Sequence, residues 1–210
     1  MKRNIACFCD KAFEEEIPES VDLAAEPNFE AMILQGEFMV FACPACGKRL
    51  APEYPCLVSG VKGGTDIYFL PENDRIAYMR GRLEYRIGNP ARIAIGFPEL
   101  VEKVRIFGKG LDDRVVEIMK YYLLTGSARE PDVEAAEGAR ENADIILRYA
   151  GEDGGSHMFH IEGLKQGEIG VARLAREIYR KIESDIERRV KEEPFRQFCE
   201  PPHVSLRRLG

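Results

Sequence analysis

The chain lacks the features that mark most membrane proteins and many enzymes. Among its 210 residues there is no run of roughly eighteen apolar positions, which argues against a transmembrane helix. The apolar stretch after Met1-Lys2-Arg3-Asn4 extends only from Ile5 to Cys9 before Lys11 and Glu14 intervene, too short for a signal-peptide core. A cytoplasmic protein with no membrane partner is therefore expected. Low-complexity tracts are missing too, so disorder is not the default. There is no P-loop, dinucleotide glycine pattern, nucleophile elbow or Ser-His-Asp order. Nor is there a surplus of positive charge: the net charge is −6, and residues 1–60, with five Lys/Arg against ten Asp/Glu, form the most acidic third. That is a poor electrostatic start for gripping phosphates.

What is present is thiol chemistry. In a reducing compartment, cysteines spaced C-x-C and C-x-x-C read as metal ligands or redox pairs before they read as disulfides. Cys43-Pro44-Ala45-Cys46-Gly47-Lys48 has the form of a metal-binding knuckle, with Gly47 placed to relax the turn. Together with Cys7 and Cys9 it offers four thiolates, a closed structural set for one Zn²⁺ with no open position for chemistry. Cys7-Phe8-Cys9 has one residue between the thiols. In a straight strand alternate Cα atoms lie roughly 6.6 Å apart, whereas tetrahedral Zn–S bonds near 2.3 Å require sulfurs roughly 3.8 Å apart. The chain must therefore bend at Phe8 if both thiols are to bind. Two other readings stay open: Cys7 or Cys9 as a small buried apolar residue, and Cys43 with Cys46 as a redox pair, although Gly47 to Pro52 is a poor helix start. Cys56 reads as core, and Cys199 with His203 as either a second metal pair or a free surface thiol.

Periodicity predicts strands over 4–8 and 12–17 meeting at the first cysteine pair, then a helix over Pro27–Gln35 stopped by Gly36. A β-like stretch follows at 37–42, and a return strand over 49–58 is interrupted by Pro52 and Pro55. Further strands are expected at 66–70, 83–87 and 92–95. Phe97, Leu100, Val101, Val104 and Phe107, then Leu111, Val115, Ile118, Met119 and Tyr122, mark two helices joined as a hairpin through Gly108-Lys109-Gly110. After a linker-like acidic stretch, strands at 144–149, 157–161 and 168–172 precede one long amphipathic helix over 174–193, ended by Pro194.

The blocks Phe41–Lys48, Glu53-Tyr54-Pro55, Tyr68–Glu72, Val104–Phe107 with Gly110–Arg114, and later His160–Gly163 and Gly167-Glu168-Ile169 resemble the CpXC-domain family. These are uncharacterised bacterial proteins named for a Cys-Pro-x-Cys element. The resemblance covers most of the chain and departs at Cys7-Phe8-Cys9, where the family has two residues between the cysteines. It implies a layout and carries no activity. On this basis the expected fold is α+β, a zinc-ribbon-like N-terminal unit joined to small antiparallel sheets with flanking helices. The expected division is a CpXC-like domain at 1–126 (zinc-ribbon-like unit 1–60, strands and helical hairpin 61–126), a linker at 127–141, a β-hairpin and long helix at 142–194, and a tail at 195–210.

Other chemistry is weaker. Asp112 and Asp113 could form a metal-holding or acid–base pair, but acids in a first helical turn are ordinary capping. His157 and His160, three apart in a strand, face opposite sides and suit one core and one surface position. The arginines Arg75, Arg80, Arg82, Arg86 and Arg92, with Tyr78 and Tyr85 among them, suit phosphate contact with base stacking, or else an arginine-rich outer face. The expected function is a zinc-stabilised, non-enzymatic module for protein interaction or regulation, with Cys7, Cys9, Cys43 and Cys46 as ligands. A nucleic-acid binder through residues 75–92 and an enzyme of unknown class are the alternatives.

Overall fold

A computed structural model describes residues 1–84, 87–126, 145–165 and 167–209. The expected linker at 127–141 and Arg86 lie outside the described residues. The chain divides into two compact units, Met1–Gly108 and Lys109–Gly210. The architecture is mixed α+β, with small sheets and flanking helices.

The first unit opens with a hairpin of β1 (Lys2–Ala6) and β2 (Ala12–Glu16), paired antiparallel with Ile5 opposite Phe13. A second, shorter hairpin joins β4 (Phe41–Ala42) to β5 (Arg49–Leu50). Between them come β3 (Ser20–Asp22) and helix α1 (Pro27–Gln35), which has Pro in its first turn and ends on Gly36 in the left-handed conformation, φ 72°. Strand β6 (Cys56–Val61) starts after Pro55, so the expected return strand is split where the prolines withhold amide donors.

With β7 (Thr65–Leu70) and β8 (Arg92–Ile95), β3 and β6 form a four-stranded sheet in the order β3-β6-β7-β8. Its central pair is antiparallel and both outer pairs are parallel. Strand β3 is too short and too polar to show a period, and only Val21 is buried. Residues 83, 84 and 87 form no strand; Leu83 and Ile87 instead pack on the cluster Leu70, Ile93 and Ile95. Helix α3 (Phe97–Gly108) covers the sheet with Leu100, Val104 and Ile106 and packs on α1. An aromatic chain ties the turn that leads into the second hairpin to this core: Phe38 meets Phe29 and Phe97 edge-on, and Phe97 stacks on Phe69 at 5.0 Å.

The second unit contains helix α4 (Asp113–Thr125), so the expected helical hairpin is divided between the units. Strands β9 (Ile146–Asp153), β10 (Ser156–Lys165) and β11 (Glu168–Ala175) form an antiparallel meander. The single long helix expected over 174–193 does not form. Leu174 pairs with His157 in the sheet, and the helical part breaks into α5 (Arg176–Glu183) and α6 (Ile186–Arg189). The break has a local cause: the Ser184 hydroxyl bonds back to the Lys181 carbonyl at 3.0 Å, and the Asp185 carboxylate gathers Arg188 and Arg189. The expected tail is also structured. Helix α7 (Phe195–Cys199) buries Phe198 and Cys199, and Val204 is buried behind it. Cys199 is therefore not a surface thiol, and its Sγ lies 3.7 Å from the Arg114 carbonyl.

Candidate metal centre

Each cysteine pair sits at the tip of one of the two short hairpins, outside the strands. In the second tip the Cys43 amide donates to the Lys48 carbonyl at 2.9 Å, and the Gly47 amide to the Cys43 carbonyl at 2.8 Å. In the first tip the Cys7 amide donates to the Lys11 carbonyl at 2.9 Å, and the Asp10 amide to the Cys7 carbonyl at 3.0 Å. The two loops close alike, the first one residue shorter. That accommodates the C-x-C spacing, because Cys7 and Cys9 lie on a turn and not along a straight strand.

The turn depends on the residue after each second cysteine. Gly47 has φ 71° and Asp10 has φ 63°. Glycine takes this left-handed conformation freely, and aspartate is among the few other residues that visit it. Cys9-Asp10 thus stands where the other tip has Cys46-Gly47, a parallel that sequence reading missed although both residues are left-handed formers.

The result is a sulfur cluster. Cys7 Sγ lies 3.7 Å from Cys46 Sγ, Cys9 Sγ lies 3.7 Å from Cys43 Sγ, and all four sulfurs lie within 4.8 Å of one another. Tetrahedral coordination at about 2.3 Å requires sulfur separations of roughly 3.8 Å. The donor set thus fits a tetrahedral thiolate-binding metal ion. Cys7 and Cys43 are buried, while Cys9 and Cys46 face solvent. Burial alone would raise the Cys43 thiol, but the amides of Ala45 and Cys46 and the thiols of Cys7 and Cys9 bring it down to about 6. Cys7 goes the other way: the Cys9 amide favours its thiolate, yet burial and the three neighbouring thiols push it up to about 12. Phe8, 82% exposed, projects beside the cluster with Lys48 Nζ 4.3 Å above its ring.

The other sequence candidates are placed elsewhere. Cys56 is fully buried and its thiol is pushed up to about 12 by burial, as a core position implies. Asp112 is the N-cap of α4, accepting from the Arg114 amide at 2.8 Å. His157 is buried and His160 exposed, on opposite sides of β10. Among the described residues the four-cysteine group is the one cluster of three or more His, Cys, Asp or Glu donors close enough to hold a metal.

The arginine stretch is largely structural at its start. Arg75 opens α2 (Arg75–Met79), where it is ion-paired with Glu72 and Glu99, the latter at 2.9 Å, and donates to the Ile95 carbonyl at 2.8 Å. Tyr78 packs on the core cluster. Arg80 and Arg82 are exposed, and Arg92 Nη1 donates to the Ala91 carbonyl at 2.8 Å. Glu53 is a residue whose role the sequence did not reveal. Its carboxylate accepts from the amides of Phe97, at 2.8 Å, and Glu72, capping two helical segments at once.

Residues 5–120 match the CpXC protein family. The chain belongs to the CpXC protein family. The match contains all four cysteines of the cluster and ends within α4. The chain is also similar to an uncharacterized protein of Treponema pallidum (strain Nichols), 24% identical over 197 residues that cover 86% of this chain and 87% of that protein. No solved structure matches. No helix of the described residues is long and apolar enough to cross a membrane.

Proposed function

We propose that this CpXC protein is a zinc-stabilised, non-enzymatic module whose first unit serves protein interaction or regulation. The observation that carries the metal part is the geometry of four thiols on two hairpin tips, with two of the cross-tip sulfur pairs at 3.7 Å and all four sulfurs within 4.8 Å of one another. All-sulfur tetrahedral sites select Zn²⁺ or iron, and a closed set of four thiolates leaves no position for a substrate. Cys7, Cys9, Cys43 and Cys46 would hold the ion, and its contribution is cross-linking. It joins the tips of two hairpins, as expected of a structural ion. The interaction part is supported by what the tip presents outward, an exposed aromatic ring beside a lysine at Phe8 and Lys48, the kind of anchor that protein interfaces use. The expected partner is a protein and the expected compartment the cytoplasm.

Metal analysis of the purified full chain tests the reading. About one equivalent of zinc is expected, lost in Cys46→Ser, and Phe8→Ala should keep the metal. Less than about half an equivalent, or full retention in Cys46→Ser, would remove the zinc module. Turnover of a substrate that depends on the bound ion would overturn the structural role.

A further inference from the structure

The second unit holds a cavity of about 370 Å³ that the metal reading does not use. Its volume equals that of about a dozen liquid waters, at the small end of the range for metabolite sites. Gly110 and Leu111 form one wall, and β9, β10 and α5 supply Glu152, His157, Arg176, Tyr179, Arg180 and Glu183. For so small a space the lining is dense in polar groups.

The imidazole of His157 is 2% exposed and lines this space. Its Nδ1 lies 3.6 Å from Glu152 Oε1 and 3.4 Å from the Tyr149 hydroxyl. Glu152 is itself held by Arg176 Nη2 at 2.9 Å. The Tyr149 hydroxyl can donate to Nδ1 or accept from it, whereas the nearby Glu152 carboxylate only accepts and so weights the balance toward a proton on Nδ1, the tautomer that leaves Nε2 an acceptor. Nε2 has no hydrogen-bond partner among the described residues. The ring is held from behind while Nε2 opens to the cavity, where water or a ligand can supply the donor it lacks from the protein.

The rim adds charge. Arg176 and Arg180 stand one turn apart on α5, and only Arg176 is committed, to Glu152. The Arg180 side chain is exposed and makes no ion pair or hydrogen bond among the described residues. Glu183 accepts from the Tyr179 hydroxyl at 3.3 Å, and that hydroxyl in turn accepts from the Asp112 amide at 2.8 Å. Tyr179 is thereby fixed against the histidine, ring centroids 5.1 Å apart. Glu152 is paired with Arg176, and Glu183, without an ion pair among the described residues, accepts from Tyr179, which leaves the Arg180 guanidinium and one imidazole nitrogen facing the cavity.

We infer that this cavity binds a small hydroxy- or amino-carboxylate, its carboxylate on Arg180 and its hydroxyl or ammonium donating to His157 Nε2. A guanidinium suits a carboxylate because it can donate two parallel N–H bonds to it. A ligand that fills the cavity displaces water from Nε2, so one without a donor there leaves the nitrogen unpaired. The inference is independent of the metal centre, whose ligands lie in the other unit.

Propionate, lactate and alanine share a carbon skeleton and differ at one position, so they separate the two contacts. The ring nitrogens of the three histidines, His157, His160 and His203, are followed by NMR in the ¹⁵N-labelled full chain, with His157 identified by loss of its signals in His157→Gln. Lactate or alanine should shift the His157 Nε2 signal saturably at millimolar concentration, with propionate roughly fivefold to tenfold weaker. Arg180→Gln, a surface change that leaves the fold intact, should weaken the response at least as much. No saturable shift with any of the three would overturn the site. Propionate equal to lactate and alanine would overturn the donor role of the ligand, and an unchanged response in Arg180→Gln would overturn the carboxylate contact.

Discussion

At the scale of single residues, solvent exposure and importance part company in the cysteines. Cys46 is exposed and Cys56 is fully buried. If a metal holds the first unit, replacing the exposed thiol is the more damaging change, because it removes a ligand and with it much of a contribution on the order of 10 kcal/mol. Cys56→Ala should cost only about 1–2 kcal/mol of packing and leave the metal in place. Urea denaturation combined with metal analysis of the two variants checks this, and the reverse order would count against a structural ion. His157 makes a prediction of its own. Burial lowers its pKa, the nearby Glu152 opposes that shift, and Arg176 adds to it. In the unfolded chain the group takes a proton near pH 6.5, while in the folded chain it resists. The neutral ring is therefore no handicap above that pH, and stability is lost as pH falls through about 6.5 toward the lower folded value. The second unit should melt at lower temperature at pH 5 than at pH 7, and His157→Gln should flatten that part of the dependence.

At the scale of elements, the two hairpin tips rest on left-handed residues. Asp10→Gly should be neutral or stabilising by up to about 1 kcal/mol, whereas Gly47→Val should cost about 1–2 kcal/mol with no clash involved, since the space around Gly47 is open. Gly60, at the irregularity between β6 and β7, is the more severe case. A Cβ there would stand 2.0 Å from Asp22 Oδ1 and 2.7 Å from the Ala24 amide nitrogen, at φ 66°. Gly60→Ala should cost about 3 kcal/mol, measurable by thermal or denaturant unfolding. Arg75→Gln should likewise be costly because it takes a cation from buried Glu99, while Arg80→Gln should change stability by less than about 0.5 kcal/mol.

How far these features were legible follows from where each signal resides. The first hairpin, α1 with its glycine stop, β7, β8, α3, α4 and the meander follow from local periodicity and caps, and the sequence shows them. Strand β3 and α2 do not, because a three-residue parallel strand and a five-residue helix are defined by what they pack on. The break after Glu183 needed the competing bonds of Ser184 and Asp185, which periodicity does not register. The four cysteines were legible from their spacing, and Asp10 was legible in principle. The cavity was not, because its lining comes from four separated segments and an isolated histidine in a strand reads as core.

At the scale of the whole molecule, the chain is two units with different means of support. The second, Lys109–Gly210, has a meander covered by helices and buried aromatics at Tyr149, Phe159 and Phe198. The first adds to its sheet-and-helix core two hairpins that meet at sulfur. Removing the metal with a strong chelator should therefore release protection of amides in β1, β2, β4 and β5 while β9, β10 and β11 stay protected, as hydrogen exchange would show. Simultaneous loss in both sets would contradict that division. The reading of the first unit depends on the coordination of one zinc ion by four sulfurs, and zinc-edge X-ray absorption of the purified full chain addresses it directly. A single shell of four sulfurs at about 2.3 Å is predicted. A shell containing nitrogen or oxygen ligands, or fewer than four sulfurs, would contradict it.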